Sequence, residues 1–487
     1  MLTTERPPPP PPARAGWRPT GLLVAAAIAA IALAVAGAVL VDPLVPLLLL
    51  MVGFTAWVLL RPGSDVVTLL TVLVVMLFAI PSRLVLGPLK SAGSPALLFG
   101  LGCFVLWMGG RILPSSQASP GRQPVRIALF VFGAVNLASL AAAQLRPLGD
   151  IEARAADRGL MLTMSMLGVG LLACDGIPNR ARFDTLIRRL IVAGAALAMA
   201  GIITGAFGID PAGHIRVPGL TALNGAEVFA EKRSDFRRVA ATTAHAIEFS
   251  VVLAMLLPLA IQQGFNATSR KLAWWGAAAI IAAGIPLSLA RSGVIGILAV
   301  AIMILPSMPR ERRRIAYAAG LGYLVAMRLL FPGVLGTIKA LFVYAGVDPS
   351  VTGRTNDYAY VGAFLAESPV LGRGFGTFVP TEYEFIDNQY LVTIVEAGLL
   401  GLCALLGLLL VGMGAARGAR RRSTDGPTRD TAQALAAGIL VALLTSATFD
   451  FFGFGTARAL LCLLLGCAGA LWRFERQAEQ ERMEVAV

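Results

Sequence analysis

Long apolar runs separated by short polar connections make up most of this chain. A run of about 17–25 apolar residues is long enough to cross a bilayer as an α-helix, and the pattern predicts about fourteen such spans. The predicted spans cover 21–40, 44–60, 66–80, 95–112, 125–143, 159–175, 188–207, 245–263, 272–290, 292–307, 315–331, 389–412, 432–449 and 456–473. We therefore expect an all-α polytopic membrane protein with about 12–14 transmembrane helices and a large extracytoplasmic loop before the last spans.

Composition supports this class of protein. Hydrophobic residues make up 57% of the 487 residues and charged residues only 14%, which excludes a water-soluble domain of this length. The net charge of +13 would suggest nucleic-acid binding in a soluble protein, but here most of the excess arginine lies in short loops between apolar runs. We expect the lipid bilayer as a partner and no nucleic acid. The five cysteines lack metal-ligand spacing and are interpreted as apolar packing residues: Cys103, Cys174, Cys403, Cys462 and Cys467.

Basic residues occur on alternate predicted loops, and this alternation predicts the orientation of the spans. The basic loops contain Arg61, Arg111, Arg122, Arg126, Arg180, Arg182, Arg270, Lys271, Arg310, Arg312, Arg313, Arg314, Arg417, Arg420, Arg421 and Arg422. They predict that both termini are cytoplasmic and that the loops near 144–158, 208–244 and 332–388 and the corners at Arg291 and 450–455 lie outside.

Four regions follow from this map. Residues 1–20 contain six consecutive prolines and are expected to form a disordered cytoplasmic tail. Residues 21–207 form an N-terminal transmembrane bundle, in which 21–40 is interpreted as a retained helix rather than a signal peptide. Residues 208–473 form a second transmembrane region that carries the large outer loops, and 474–487 form a second cytoplasmic tail.

The longest polar interruption before the final spans covers residues 352–401. Arg354, Asp357 and Arg373 precede or enter a turn with glycine at every second position, and Asp387, Asn388 and Gln389 follow at the start of a span. Two guanidinium groups and several carboxylates at a membrane surface predict a binding site for a charged ligand. Gln389, Thr393 and Glu396 recur at i, i+4 and i+7, so they form a polar line on one helix face. Asp387 has an alternative role as the N-cap of that helix.

Three other outer stretches carry unusual charges. If a helix is already formed at Arg238, then Arg238, His245 and Glu248 share one face; the alternative is a polar helix start bonded to neighbouring loops. Arg291 is the only charge between two apolar helices and is either a functional guanidinium or a side chain that extends to the membrane surface. Asp450 and Arg458, across the last outer corner, are interpreted as a structural ion pair.

The order of these motifs resembles the O-antigen ligase and polymerase superfamily of bacterial surface polysaccharide enzymes. The resemblance covers about residues 238–401 and rests on RxxATTAHAIEF, LARSG, GRTxxY, SPVLGRGFGTF, DNQYL and VEAGLLG. It implies a glycosyltransferase in the bacterial cytoplasmic membrane that takes a glycan from a polyprenyl-diphosphate-linked donor on the outer face and passes it to a glycan or lipid-linked acceptor. Arg291 and Arg354 match the arginine motifs of the family. Asp387 stands where ligases have histidine, as in polymerase-like members.

The chemistry of the residues agrees with this resemblance. A diphosphate leaving group needs fixed cations or a metal ion, and the outer loops contain no DxD-type metal pair, so we expect neither metal nor cofactor. The candidate site residues are Arg291, Arg354, Arg238 and Arg373 for the donor diphosphate, Asp387, Glu248 and His245 for the base, and Asp357, Asn388, Gln389 and Glu396 in support. Attack in one displacement step predicts inversion at the anomeric carbon. The alternative function is a transporter or flippase of lipid-linked oligosaccharide, which should line both halves of a central cavity with charges.

Overall fold

Helices follow the predicted spans in the part of the chain that the computed structural model describes. That part comprises residues 65–112, 122–223, 232–233, 236–331 and 349–485, with single positions at 333, 336, 339 and 343. The proline-rich tail, the first two predicted spans and much of the loop 332–348 lie outside it.

Thirteen longer helices are described. The first five are α1 (Val66–Ala79), α2 (Pro95–Ile112), α3 (Pro124–Ala143), α4 (Asp150–Gly176) and α5 (Arg180–Phe207). The next four are α6 (Ala246–Asn266), α7 (Lys271–Gly284), α8 (Arg291–Ile304) and α9 (Arg310–Leu330). The last four are α10 (Pro349–Glu367), α11 (Gln389–Arg422), α12 (Gly426–Thr445) and α13 (Gly455–Val485).

Only short elements accompany these helices. Segments of 3₁₀-helix precede α2 and extend α7 and α8, and a single helical turn follows α5: Gly87–Gly93, Ile285–Ser288, Leu305–Ser307 and Pro211–His214. Two-residue strands pair antiparallel, β1 (Leu84–Val85) with β2 (Thr221–Ala222) and β3 (Lys232–Arg233) with β4 (Phe236–Arg237).

Seven of the described helices are long and apolar enough to cross a membrane, namely α3, α4, α5, α6, α7 with its 3₁₀ extension, α11 and α13. Three shorter apolar helices, α1, α2 and α8, accompany them. The predicted fold class, an all-α polytopic membrane protein, is therefore confirmed.

Contacts between helix termini define two ends of the bundle, called here the lower end and the upper end. At the lower end, ion pairs join Arg182 to Asp65 (2.6 Å), Arg126 to Asp175 (3.1 Å) and Arg312 to Asp430 (2.7 Å). At the upper end, the Thr242 hydroxyl donates to the Phe78 carbonyl (2.8 Å), the Val239 N–H to the Leu287 carbonyl (3.3 Å) and the Gln389 N–H to the Ser446 carbonyl (2.9 Å). Apart from α10, the helices that these contacts connect therefore alternate in direction along the chain, as the alternation of the basic loops predicts.

One hydrophobic core joins the two predicted transmembrane regions: side chains of α1 to α9 and of α11 to α13 belong to it or pack against it, whereas those of α10 do not. α4 and α13 approach closely through glycines, because a Cβ atom at Gly466 would lie 2.6 Å from the carbonyl oxygen of Gly170. Small residues of this kind let membrane helices pack backbone to backbone. The boundary near residue 208 stays a prediction that rests on the motifs.

α11 is broken at Gly398, which adopts φ +66° inside the helix. Residues 369–374 fill the break: the N–H of Gly374 donates to the Glu396 carbonyl (2.8 Å), and the N–H of Leu399 donates to the carbonyl of Pro369 (2.9 Å). A Cβ atom at Gly398 would lie only 2.3 Å from the Val370 carbonyl oxygen. The sequence predicted a continuous span here, but a loop supplies backbone partners that let the helix open.

The structure adds three details to the sequence predictions. α6 begins at Ala246 with His245 as its N-cap, so Arg238 precedes the helix and shares no helical face with Glu248. The outer loop predicted over 332–388 contains α10. The segment predicted as a tail after residue 473 continues α13 to Val485.

Candidate functional site

The connection 446–454 between α12 and α13 contacts the starts of other helices at the upper end. The backbone N–H of Gln389 donates to the carbonyls of Ser446 (2.9 Å) and Phe449 (3.1 Å). The hydroxyls of Ser292 and Thr448 lie 2.8 Å apart. This connection therefore holds the starts of α8 and α11 together, and with them the adjacent residues Arg291 and Asp387.

Arg238 and Arg291 lie at the same corner. Arg238 donates through Nε to the carbonyl oxygen of Ser288 (3.3 Å), three residues before Arg291. Arg291 is the first residue of α8 and is half-buried. The structure thus brings two of the residues predicted to bind the diphosphate to one corner. The helical face predicted to include Arg238 does not form, because α6 begins only at Ala246.

Asn388, not Asp387, caps α11. Its side-chain oxygen accepts from the N–H groups of Tyr390 (2.9 Å) and Leu391 (3.4 Å). The alternative role for Asp387 as N-cap is therefore wrong, and the half-buried Asp387 carboxylate is not needed to cap this helix.

The predicted polar line on α11 is buried and bonded. Gln389 accepts from the N–H of Phe452 (2.5 Å) and donates to the hydroxyl of Thr393 (3.0 Å). Glu396 follows one turn further on and is 7% exposed. This face of α11 therefore contacts the connection 446–454 and the cavity described below, as expected for a polar line in a membrane helix.

Glu248 is fully buried and serves as a helix cap in the tertiary structure. Its carboxylate accepts hydrogen bonds from the backbone N–H groups of Ala244 (2.8 Å), Thr456 (2.7 Å) and Ala457 (3.0 Å). The last two donors form the first turn of α13, where an anion is favoured by the helix dipole. Glu248 therefore joins α6 to α13.

His245 accepts a hydrogen bond at Nδ1 from the N–H of Ile247 (3.1 Å). This bond assigns the neutral ring its proton at Nε2. The ring packs against Phe454, with 5.9 Å between centroids. A neutral His245 can donate a hydrogen bond from Nε2 but has no acceptor nitrogen left for a substrate proton.

A cavity of about 130 Å³ lies between the start of α4, the segment 375–386, the start of α11 and the connection 446–454. It is lined by the polar residues Arg158, Glu384, Gln389, Glu396 and Asp450 and by the rings of Phe375, Phe378, Phe385 and Phe452. The sequence gives no signal for Arg158, which lies at the end of a predicted loop with no motif around it. Its Nε is buried without a hydrogen-bond partner in the described part of the chain.

Asp450 and Arg458 do not form the predicted ion pair. Arg458 donates to the carbonyl oxygen of Phe452, and Asp450 accepts from the N–H of Gly453 (3.2 Å). Burial, with a smaller contribution from the neighbouring Asp387 carboxylate, raises the pKa of Asp450 to about 6. Asp450 therefore belongs to the cavity beside Asp387.

Arg373 is held by side chains of the protein itself. It forms ion pairs with Glu367 (3.1 Å) and Glu152 (3.8 Å), and Nη2 donates to the Tyr383 hydroxyl (3.1 Å). The guanidinium also lies 5.1 Å from the centroid of the Phe364 ring. These contacts fix the segment 369–374 against α4 and α10.

The remaining predicted residues lie on α10. Asp357 is 7% exposed on that helix. Arg354 lies in the first half of α10, but its side chain is outside the described part of the structure, so its predicted contact with the donor stays a prediction.

One comparison with known proteins bears on this site. Residues 276–406 match the family model described as O-antigen ligase. This range runs from α7 into α11 and includes Arg291, Arg354, Arg373 and Asp387, whereas Arg158, Arg238, His245, Glu248 and Asp450 lie outside it. No curated protein matches the chain. The match confirms, over residues 276–406, the resemblance to the O-antigen ligase and polymerase superfamily that the motifs predicted.

Proposed function

We propose that this protein is a membrane glycosyltransferase that polymerises or ligates surface polysaccharide from a polyprenyl-diphosphate-linked glycan. The observation that carries the proposal is the placement of Arg291 and Asp387 beside the same connection, 446–454, through the contacts of Ser292 and Gln389. Glycosyl transfer from a diphosphate carrier needs a fixed cation for the leaving diphosphate and a base for the acceptor hydroxyl. A guanidinium and an adjacent carboxylate can supply these two functions.

Arg291, Arg238 and Arg354 bind the diphosphate of the donor. A guanidinium offers two parallel N–H donors to phosphate oxygens, which stabilises the charge that develops as the diphosphate leaves. Arg238 and Arg291 reach the same corner of the bundle, and the family match includes Arg291 and Arg354. Arg373 is assigned a structural role, since its guanidinium is already bonded to Glu367 and Tyr383.

Asp387 is the base. Glu248 has its two oxygens bonded to three backbone N–H groups, and His245 uses its acceptor nitrogen within the chain. Asp387 takes the proton of the acceptor hydroxyl as that oxygen bonds to the anomeric carbon. The bond from the anomeric carbon to the diphosphate oxygen breaks, the polyprenyl diphosphate leaves with the bonding electrons, and the anomeric configuration inverts.

The cavity beside Asp387 would receive a sugar ring of the substrate. Arg158 and Gln389 can donate to sugar hydroxyls, Glu396 and Asp450 can accept from them, and the phenylalanine rings cover the apolar face of a pyranose. The site would face outwards, with both termini in the cytoplasm, because the basic loops lie at the lower end.

Packing in the middle of the bundle favours an enzyme over a transporter. Between the two ends, α6, α12 and α13 meet through fully buried apolar side chains, among them Leu253, Leu256, Leu435, Leu460 and Leu464. In the described helices the unusual charges of the site lie at the upper end, whereas a transport path needs polar groups along its length.

Reconstitution of the purified full chain in liposomes with a polyprenyl-diphosphate-linked repeat unit tests the proposal. We expect longer carrier-linked glycan, or glycan transferred to an added lipid acceptor, together with release of polyprenyl diphosphate. Because arginines are assigned to the diphosphate, turnover should persist in EDTA. Movement of intact donor across the bilayer without a new glycosidic bond would overturn the proposal in favour of a flippase.

A further inference from the structure

A second cavity, of about 610 Å³, lies at the lower end of the bundle, away from the proposed active site. It is formed by the start of α5, the end of α6, the start of α7 and the start of α12. We infer that this cavity is a binding site for a phosphate-bearing polar group that also carries hydroxyls, such as the glycerol phosphate headgroup of an anionic lipid. Nothing in the proposed glycosyl transfer requires this cavity.

Three helix N-termini converge on the cavity. α5 begins at Arg180, α7 at Lys271 and α12 at Gly426, and residues at or next to each of these starts line the cavity. Helix N-termini carry partial positive charge and unpaired N–H groups, which favour bound anions. The C-terminus of α6, at Asn266, carries partial negative charge and offsets part of this positive charge. The net charge of the cavity therefore depends on its side chains.

The side chains give the cavity an excess of positive charge. Arg180, Arg188 and Arg270 line it together with one carboxylate, Asp184. Arg180 bonds to Asp184 through Nε (3.0 Å) and Nη2 (2.9 Å), whereas Nη1 of Arg180 is buried with no hydrogen-bond partner among the described residues. Two exposed arginines, Arg188 and Arg270, thus remain to bind an anion.

Gln262 supplies the independent indication of a ligand. It lines the cavity, is only 3% exposed, and its Oε1 has no hydrogen-bond partner among the described residues. A buried amide oxygen without a hydrogen-bond donor destabilises the folded protein. The missing donor is a hydroxyl or N–H of the ligand, so the ligand presents a donor group as well as an anion.

Two tryptophans at the start of α7 indicate that the cavity lies at the depth of lipid headgroups. Trp274 lines it, and Trp275 follows on the first turn of α7, packed edge to face on Phe265 at 4.8 Å. Tryptophan collects at membrane interfaces, where its ring is buried in the lipid boundary and its N–H meets water. A glycerol phosphate headgroup offers both the phosphate and the hydroxyl donors; a soluble glycerol phosphate has the same chemistry and is the alternative source.

Ligand-dependent thermal stability of the purified full chain in detergent tests the site without any assay of glycosyl transfer. Phosphatidylglycerol should raise the melting temperature of the wild type more than phosphatidylcholine does. The double variant Arg188→Gln/Arg270→Gln, at two exposed positions, should bind phosphatidylglycerol about tenfold more weakly. The matched control Arg314→Gln, an exposed arginine at the same end, should bind like the wild type.

Two further arms identify the ligand. Gln262→Met removes the unpaired oxygen, so it should weaken binding of phosphatidylglycerol while leaving the ligand-free protein at least as stable. Soluble glycerol 1-phosphate added without lipid distinguishes the sources, since stabilisation by it but not by the lipid assigns the cavity to a soluble phosphate compound. Stabilisation by neither, or an equal loss of binding in Arg314→Gln, overturns the inference.

Discussion

Glu248 on α6 caps α13, with its Oε1 accepting the backbone N–H of Thr456 at 2.7 Å. The two residues are 208 positions apart in the chain. An acidic side chain that the sequence offers as a catalytic base is therefore fully buried, and its carboxyl oxygens bond to backbone N–H groups at a helix N-terminus. Its substitution should act on folding, and this separates it from Asp387.

Glu248→Gln should destabilise the protein. The amide keeps one acceptor oxygen but turns its NH₂ group towards a backbone N–H, so at least one charge-assisted bond is lost, at about 1.5–3 kcal/mol. We expect a lower melting temperature and less folded protein, with near-normal turnover per folded molecule. Glu311→Gln, at an exposed position of α9, is the matched control. A stable but inactive Glu248→Gln would return Glu248 to the catalytic residues.

Asp387→Asn should lower turnover by about 10² to 10⁴ while the protein stays folded, because it removes the base and preserves the size of the side chain. Asp157→Asn, the same change at an exposed position of α4 at the same end, is the matched control and should leave turnover near normal. The rate of glycan extension at equal membrane expression is the measurement. An active Asp387→Asn would exclude Asp387 as the base.

Arg291→Lys should fail nearly as badly as Arg291→Ala. An ammonium retains the charge but loses the two parallel N–H donors that fit a diphosphate. The loss should appear in the apparent affinity for donor as well as in turnover, whereas Arg314→Lys at the lower end should change neither. Full activity of Arg291→Lys would reduce the role of Arg291 to that of a point charge.

Asp450 should make stability depend on pH. Its pKa in the folded protein is about 6, above the ordinary 3.8, because of burial. The folded state therefore binds this proton more tightly, and the stability that the proton contributes is fully present below about pH 4 and is lost as pH rises through about 6. Asp450→Asn keeps an acceptor for the Gly453 N–H, so it should melt at a higher temperature than the wild type near pH 8 and equally near pH 4. An equal difference at both pH values would exclude this titration.

Thiol labelling tests the orientation of the bundle. In a Cys403→Ser background, which removes the exposed native cysteine, Thr381→Cys at the upper end should react with an impermeant reagent on intact cells. Thr424→Cys at the lower end should react only after permeabilisation. Both threonines are exposed, so access to the side chain does not limit either reaction, and the reverse pattern would place the proposed site in the cytoplasm.

The sequence by itself determined the helical class, the alternating direction of the spans and the segments that meet at the upper end. These features depend on local properties: the length of an apolar run decides whether it can cross a bilayer, and the arginines of a loop report its side. The motifs around Arg291 and Asp387 also predicted the resemblance to O-antigen ligases that the match over residues 276–406 confirms.

Only the tertiary structure decided the hydrogen-bond partners and surroundings of several buried polar residues. It assigned the cap of α11 to Asn388, gave Glu248 to α13, opened α11 at Gly398 and placed Arg158 in the cavity beside Asp450. Except at Asn388, whose partners Tyr390 and Leu391 are sequence neighbours, the deciding partner comes from a distant segment. Residues 369–374 fill the break in α11, and the connection 446–454 binds Gln389. Sequence spacing shows which side chains share a helix face, but the hydrogen-bond partner of a buried polar group depends on which helix ends pack together.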